Sequence, residues 1–271
     1  MKKYFVMTGN ILMYILIYFV LQILAGFATM TYYAIKYFNS NIDKEQLQLI
    51  INRSLYISVT ISALITLLIY VLLFKNKEEN IWKRCKFKAV SFNNALLVIL
   101  TSTGAVSVTA FLVNHFQNKF ESYKTVSKSM SYGVNTIAGL ICVIIFIPIF
   151  EEILFRGLIF IELKKTANIV ISIILQALIF GVFHGNLLQG IYTFALGIIL
   201  SILYIWLDSI WAPIICHITY NLMGTLVFPI LIYVSGKYSF VYAILGLVTL
   251  LYGLFNIKKF YSDANNNYIN M

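Results

Sequence analysis

The sequence predicts an all-α, polytopic membrane bundle, and two observations carry that prediction. The 271-residue chain is 61% hydrophobic and only 11% charged, where soluble domains carry about 25% charged residues. Its apolar stretches repeatedly reach the roughly 20 residues that a helix needs to cross a bilayer. These runs are apolar on every side rather than alternating. They therefore read as helices and not as the strands of a membrane barrel.

About eight spans are expected, at roughly 8–30, 55–74, 95–114, 134–163, 168–185, 187–207, 211–234 and 238–257. The opening "MKK" followed by an apolar run imitates a signal peptide. The run from Ile11 to Met30 is too long for one and no cleavage site follows, so a retained first span is expected. Segments 39–54 and 115–135 are polar connectors with room for short amphipathic helices. The run "TSTGAVSVTA" (101–110) in the third span offers small side chains for close helix packing. Cys85, Cys142 and Cys216 form no spaced pair, so neither a disulfide framework nor a thiolate metal site is expected.

The net charge of +10 is explained by the membrane, because Lys and Arg accumulate in cytoplasmic loops. No nucleic-acid partner is expected. With the N-terminus inside, 13 of the 20 basic residues fall in cytoplasmic segments and 7 outside. The loop 75–88 contributes most. Both termini are expected in the cytoplasm of a multi-pass cell-membrane protein.

The polar residues inside the apolar runs mark a site. An ionisable group in the bilayer is costly and is by default a functional suspect. Glu151, Glu152 and Arg156 lie on the fourth span, His184 ends "FGVFHG" on the fifth, and His217 and Asn221 lie in "CHITYN" on the seventh. His115 opens a loop and is expected to be solvated. Glu152 and Arg156 are four residues apart, so they share a helix face and can pair. Glu151 is rotated by about 100° from Glu152 and faces elsewhere. Phe180 and His184 are one turn apart, as are His217 and Asn221. Counted at 1.5 Å per residue, Glu151 lies about 20 Å from Lys164, which places the group within the hydrocarbon layer. Pro148 and Pro213 precede Glu151 and His217 and are expected to bend their helices. Gly181 and Gly185 form a G-x-x-x-G suited to close helix approach.

Glu151-Glu152-Ile-Leu-Phe-Arg156, Phe180-Gly-Val-Phe-His184 and His217-Ile-Thr-Tyr-Asn221, in that order, resemble the CPBP family of intramembrane proteases. That family comprises the type II CAAX prenyl endopeptidases and bacterial relatives also called Abi or bacteriocin-processing proteins. The resemblance covers roughly residues 134–225, which divides the chain into N-terminal helices (1–133), a catalytic core (134–225) and C-terminal helices with a polar tail (226–271). It implies an intramembrane endopeptidase acting on a membrane-embedded or lipid-associated peptide. By the same resemblance, Glu151 is the base that activates water. His184 assists, His217 and Asn221 stabilise the oxyanion, and Glu152 and Arg156, with Phe180 beside them, hold the architecture.

The chemistry of these groups agrees with that assignment. A carboxylate in a dry site is a stronger base than one in water. Amide and imidazole donors aimed at a developing oxyanion gain strength there. No cofactor is expected. Zinc is the alternative, with Glu151, His184 and His217 as its ligands and one open position. Two other functions use the same buried polar groups: a transporter or proton relay, and a non-enzymatic immunity or scaffold protein. Against the transporter, the sequence shows no internal repeat.

Overall fold

The computed structural model describes residues 1–75 and 79–269. Lys77 of the basic loop and the last two residues of the polar tail lie outside the described residues. Among the described residues there is no strand, and every long element is helical. The helices are α1 (Lys2–Lys36), α2 (Lys44–Arg53), α3 (Leu55–Phe74), α4 (Ile81–Cys85), α5 (Phe92–Phe116), α6 (Glu121–Val134), α7 (Ile137–Lys164), α8 (Ile169–Phe183), α9 (Leu187–Leu207), α10 (Trp211–Leu222), α11 (Phe228–Ser235) and α12 (Phe240–Ile269).

Outer helices present apolar side chains outward, as Leu16, Phe19 and Phe27 do on α1 and Leu247, Val248 and Leu251 do on α12. In water such a surface would be a liability. In lipid it is the face that needs no partner. Helix α7 has the opposite character. Half of its apolar window is buried inside the protein, against 17% for α1. It is the central post of the bundle.

Contacts fix the direction of each helix. Tyr70 Oη donates to the Tyr14 carbonyl (2.6 Å) and Tyr33 Oη meets Ser54 Oγ (2.7 Å), so α1 and α3 are antiparallel. Asn10 lies at Glu162 and Tyr18 at Phe150, so α7 runs back along α1. Helices α5 and α12 are antiparallel and packed through small residues. A Cβ on Gly104 would sit 2.5 Å from the Gly246 carbonyl, and Ser107 Oγ donates to the Tyr242 carbonyl (2.6 Å). The run 101–110 thus does what its small side chains suggest. The start of α1, the last described turns of α12, α4 and the α9–α10 turn lie on one face of the bundle, which we call the basic face. Helices α2 and α6 pack on each other at the opposite face.

The span count differs in detail from the sequence expectation. Six helical stretches are long and apolar enough to cross a membrane. The last of them, Trp211–Asp263, contains a reversal at Gly236 (φ +51°) and so holds two of the expected spans. Helix α8 has only 15 residues, about 22 Å against a hydrocarbon core of about 30 Å. Gly185 ends it early by adopting φ +72°, a left-handed conformation that glycine reaches without steric cost. Gly185 is therefore a turn residue and not half of a packing motif. Gly181 does pack closely, against the Gly190 carbonyl of α9. Pro213 also departs from expectation. It sits in the first turn of α10, where a missing N–H leaves no bond unmade, and it does not bend the helix.

A candidate active site in the core of the bundle

Helix α7 is not uniformly α-helical. Cys142–Phe146 and Ile153–Phe160 are π-helical and flank the short α-helical piece Ile147–Glu152 that carries both glutamates. The first π segment follows from the sequence. Ile147 N–H donates to the Cys142 carbonyl, five residues back. The next bond in that series would run from Pro148 to Val143, and proline has no N–H. The Val143 carbonyl is instead satisfied by Asn221 Nδ2 of α10, at 2.9 Å. A freed carbonyl in the membrane thus finds a neighbouring helix, and the two expected site helices are tied together.

The second layer is a chain of charges. Glu152 and Arg156 are both fully buried, and Glu152 Oε1 accepts from Arg156 Nη1 at 2.9 Å. Arg156 Nη2 also donates to the Gly197 carbonyl (3.2 Å), and its guanidinium stacks 4.7 Å from the Phe180 ring centre. The same Glu152 Oε1 accepts from His217 Nδ1 at 2.7 Å. A carboxylate held by an arginine is an acceptor, so Nδ1 carries the proton and Nε2 is the nitrogen left for chemistry. His217 Nε2 lies 3.6 Å from Glu151 Oε2. His184 is arranged alike, with Nδ1 bonded to the Phe180 carbonyl (2.8 Å) and Nε2 left over. Phe180 stands edge-on to both imidazoles, at 4.9 and 5.8 Å between ring centres.

Glu151, His184, His217 and Asn221 all line one cavity of ≈ 400 Å³. Glu152, Arg156 and Phe180 lie behind it, fully buried. The structure therefore brings together all seven residues singled out by sequence, and His115 lies apart, exposed in the last turn of α5. Among the described residues, no three His, Cys, Asp or Glu side chains are grouped as metal ligands, the set Glu151, His184 and His217 included.

Sequence reasoning missed three features. It treated Glu152 as the partner of Arg156 alone, whereas one oxygen serves both Arg156 and His217. It counted Arg84 as a loop charge. Arg84 is buried and ion-paired with Glu162, which Asn10 and Lys165 also hold. A glutamate inside "LIFIELKK" was the available signal. It also did not foresee that helices outside the core supply cavity walls, with Tyr18 and Gln22 from α1 and Tyr56 from α3. Gln22 in an apolar run was a signal for that.

Residues 133–223 match the family described as type II CAAX prenyl endopeptidase Rce1-like. A Bacillus subtilis (strain 168) protein named "Putative membrane peptidase YdiL" is 35% identical over 74 residues, which is 27% of this chain. The aligned part spans 30% of that relative's own length. No solved structure matches. The matched segment contains α7, α8, α9 and α10 through Asn221, the helices whose side chains meet at the cavity. Over those residues the chain is similar to the CPBP family of intramembrane proteases.

Proposed function

We propose that this protein is an endopeptidase that hydrolyses a peptide bond within the membrane, with water activated by Glu151. The observation that carries the proposal is the placing of the two adjacent glutamates. Glu152 has no exposed surface and is committed to Arg156 and His217. Glu151 is partly exposed and is the one carboxylate lining the cavity among the described residues. Only Glu151 can reach a substrate.

The reaction then runs as follows. Glu151 takes a proton from water as its oxygen attacks the scissile carbonyl carbon. The oxyanion that forms accepts from the second amide hydrogen of Asn221 and from His217 Nε2. His217 donates there from an Nε2–H while its Nδ1–H stays on Glu152, so this step uses the ring with both nitrogens protonated. The intermediate collapses, the C–N bond breaks, and Glu151 returns the proton to the leaving amine. His184 positions the attacking water through Nε2. Arg156 and Glu152 hold His217 in orientation through its Nδ1.

No cofactor enters this scheme. A zinc ion on Glu151, His184 and His217 is the competing arrangement, and it would polarise the carbonyl and the water in place of the protein donors. The basic face is assigned to the cytoplasm by its excess of Lys and Arg, with both termini there. The partners are the bilayer and a membrane-embedded or lipid-associated peptide. Incubating the purified wild type and Glu151→Gln with a library of membrane peptides tests the function. Cleavage by the wild type alone is expected, and cleavage by both or by neither overturns it.

A further inference from the structure

We infer that the cavity is filled from the face opposite the basic one, so that the substrate is a peptide segment emerging from the membrane on that face. In the proposed orientation this is the extracytoplasmic side. The inference rests on the peptidase reading and names the substrate class for it.

The route from the basic face is closed. Beneath the glutamates, Ile153, Leu154, Phe155, Leu158, Ile159 and Phe160 are all buried. Helix α4 is wedged against this segment. A Cβ on Gly157 would collide with the Cys85 thiol, which shows how tight the contact is. Below that, Arg84, Asn10 and Lys165 converge on Glu162 and tie α4, α1 and α7 together. On α7 the cavity is lined by Val143, Ile147 and Glu151, and among the described residues no α7 side chain after Glu151 lines it.

The walls of the cavity come from the other halves of the helices. Helix α5 contributes Thr109 and Val113 from its last turns, α3 contributes Tyr56 from its first, and α9 contributes Gln189 and Thr193 from its first. All these positions lie toward the face where α2 and α6 pack. Helix α6 lies over the top. It touches α2, α3, α7 and α9, so it crosses the mouth from one wall to the other. Its Tyr123 and Met130 line the cavity, while Glu121, Lys124 and Lys128 are exposed. An amphipathic helix over a partly polar hole is what this pattern describes.

The lining also suits a peptide. Hydroxyls and amides from Tyr56, Thr109, Gln189, Tyr192 and Thr193 stand along the walls. They match the donors and acceptors of an extended backbone. The Tyr56 hydroxyl is buried at this wall without a hydrogen-bond partner among the described residues, and a buried polar group of that kind calls for one.

Cysteine accessibility tests the direction without needing turnover. Gln22→Cys and Thr225→Cys place thiols on two cavity walls. Lys83→Cys marks the basic face and Lys124→Cys marks α6. The native cysteines are buried, so the wild type sets the background. A membrane-impermeant, charged methanethiosulfonate is applied to intact cells and to inverted vesicles. Labelling of Gln22→Cys, Thr225→Cys and Lys124→Cys in intact cells, and of Lys83→Cys only in inverted vesicles, is expected. Loss of cleavage on labelling Thr225→Cys is expected as well. Cavity thiols that label with Lys83→Cys, or not at all, overturn the access route. Cavity thiols and Lys124→Cys that label together only in inverted vesicles overturn the extracytoplasmic substrate. Repeating the labelling on Glu151→Gln separates these outcomes from failure of the peptidase reading, because access needs no catalytic base.

Discussion

Asn221 donates its side-chain amide to the backbone carbonyl of Val143 at 2.9 Å, an acceptor stranded by Pro148. The residue proposed as an oxyanion donor is therefore also a brace between α10 and α7. Asn221→Ala removes both roles, and two measurements separate them. Loss of an oxyanion donor should lower kcat by about 100- to 1000-fold with KM nearly unchanged. The orphaned carbonyl should cost about 1–3 kcal/mol of stability, read as a lower melting temperature. A normal kcat in a destabilised variant would leave Asn221 as a brace alone.

Glu151→Gln should abolish cleavage while the protein accumulates and melts like the wild type. Among the described residues its one ionic partner is His217 Nε2, at 3.6 Å, so little folding energy depends on it. The amide keeps the shape and cannot take a proton. Turnover at the wild-type rate would remove Glu151 from the role of base.

Arg156→Ala should be a stability variant first. It leaves the Glu152 carboxylate buried without its cation, a loss of about 3–5 kcal/mol. The pair Glu152→Gln/Arg156→Ala should melt higher than Arg156→Ala, because no bare charge remains. It should stay slow, because His217 Nδ1 then loses the carboxylate that orients it. Recovery of both stability and rate in the pair would show that His217 needs no such partner.

Metal removal is decisive between the two mechanisms. With Glu151 as the base, activity should survive exhaustive chelation. If Glu151, His184 and His217 hold zinc, chelation should abolish activity and added zinc should restore it. Zinc rescue of Asn221→Ala, with stoichiometric metal in the purified protein, would favour the metallopeptidase.

Asp208 gives a pH-dependent prediction at the basic face. It takes a left-handed conformation (φ 47°) after α9 and pairs with Lys86 and Lys88. Burial alone would raise its carboxyl, but the two lysines outweigh it and hold the group below the usual carboxylate range. A depressed folded pKa means that the stabilisation is present at neutral pH. It is lost as pH falls through and below the ordinary carboxylate values. Melting curves of the wild type and Asp208→Asn should therefore converge in acid and differ slightly at neutrality. A difference that grows toward low pH would reverse the sign.

Legibility of this fold in the sequence follows from how expensive a charge is in lipid. Glu151, Glu152, Arg156, His184, His217 and Asn221 stand out because an apolar background makes any polar group conspicuous. The structure gathers them at one place. Features encoded by backbone geometry were not legible. Gly185 reads as a packing residue in a G-x-x-x-G, and only its positive φ shows that it ends α8. Pro213 reads as a kink, and only the helix start at Trp211 makes it harmless. The cavity walls on α1 and α3 depend on which helices neighbour α7, and periodicity in one chain carries no record of its neighbours.

The π turns of α7 have a consequence for how this helix tolerates change. Each residue advances an α-helix by about 100°, and a π turn accommodates one residue more than an α turn. Cys142–Phe146 therefore acts as a stored insertion, which sets the angular phase of everything after it. Rewinding that stretch as ordinary α-helix with every residue kept would swing Glu151 by about 100° away from His217, although every side chain of the site would still be present, whereas deleting one residue at the same time would bring Glu151 back into phase. The wide turn at Cys142–Phe146 is in this sense as much a part of the site as the glutamate.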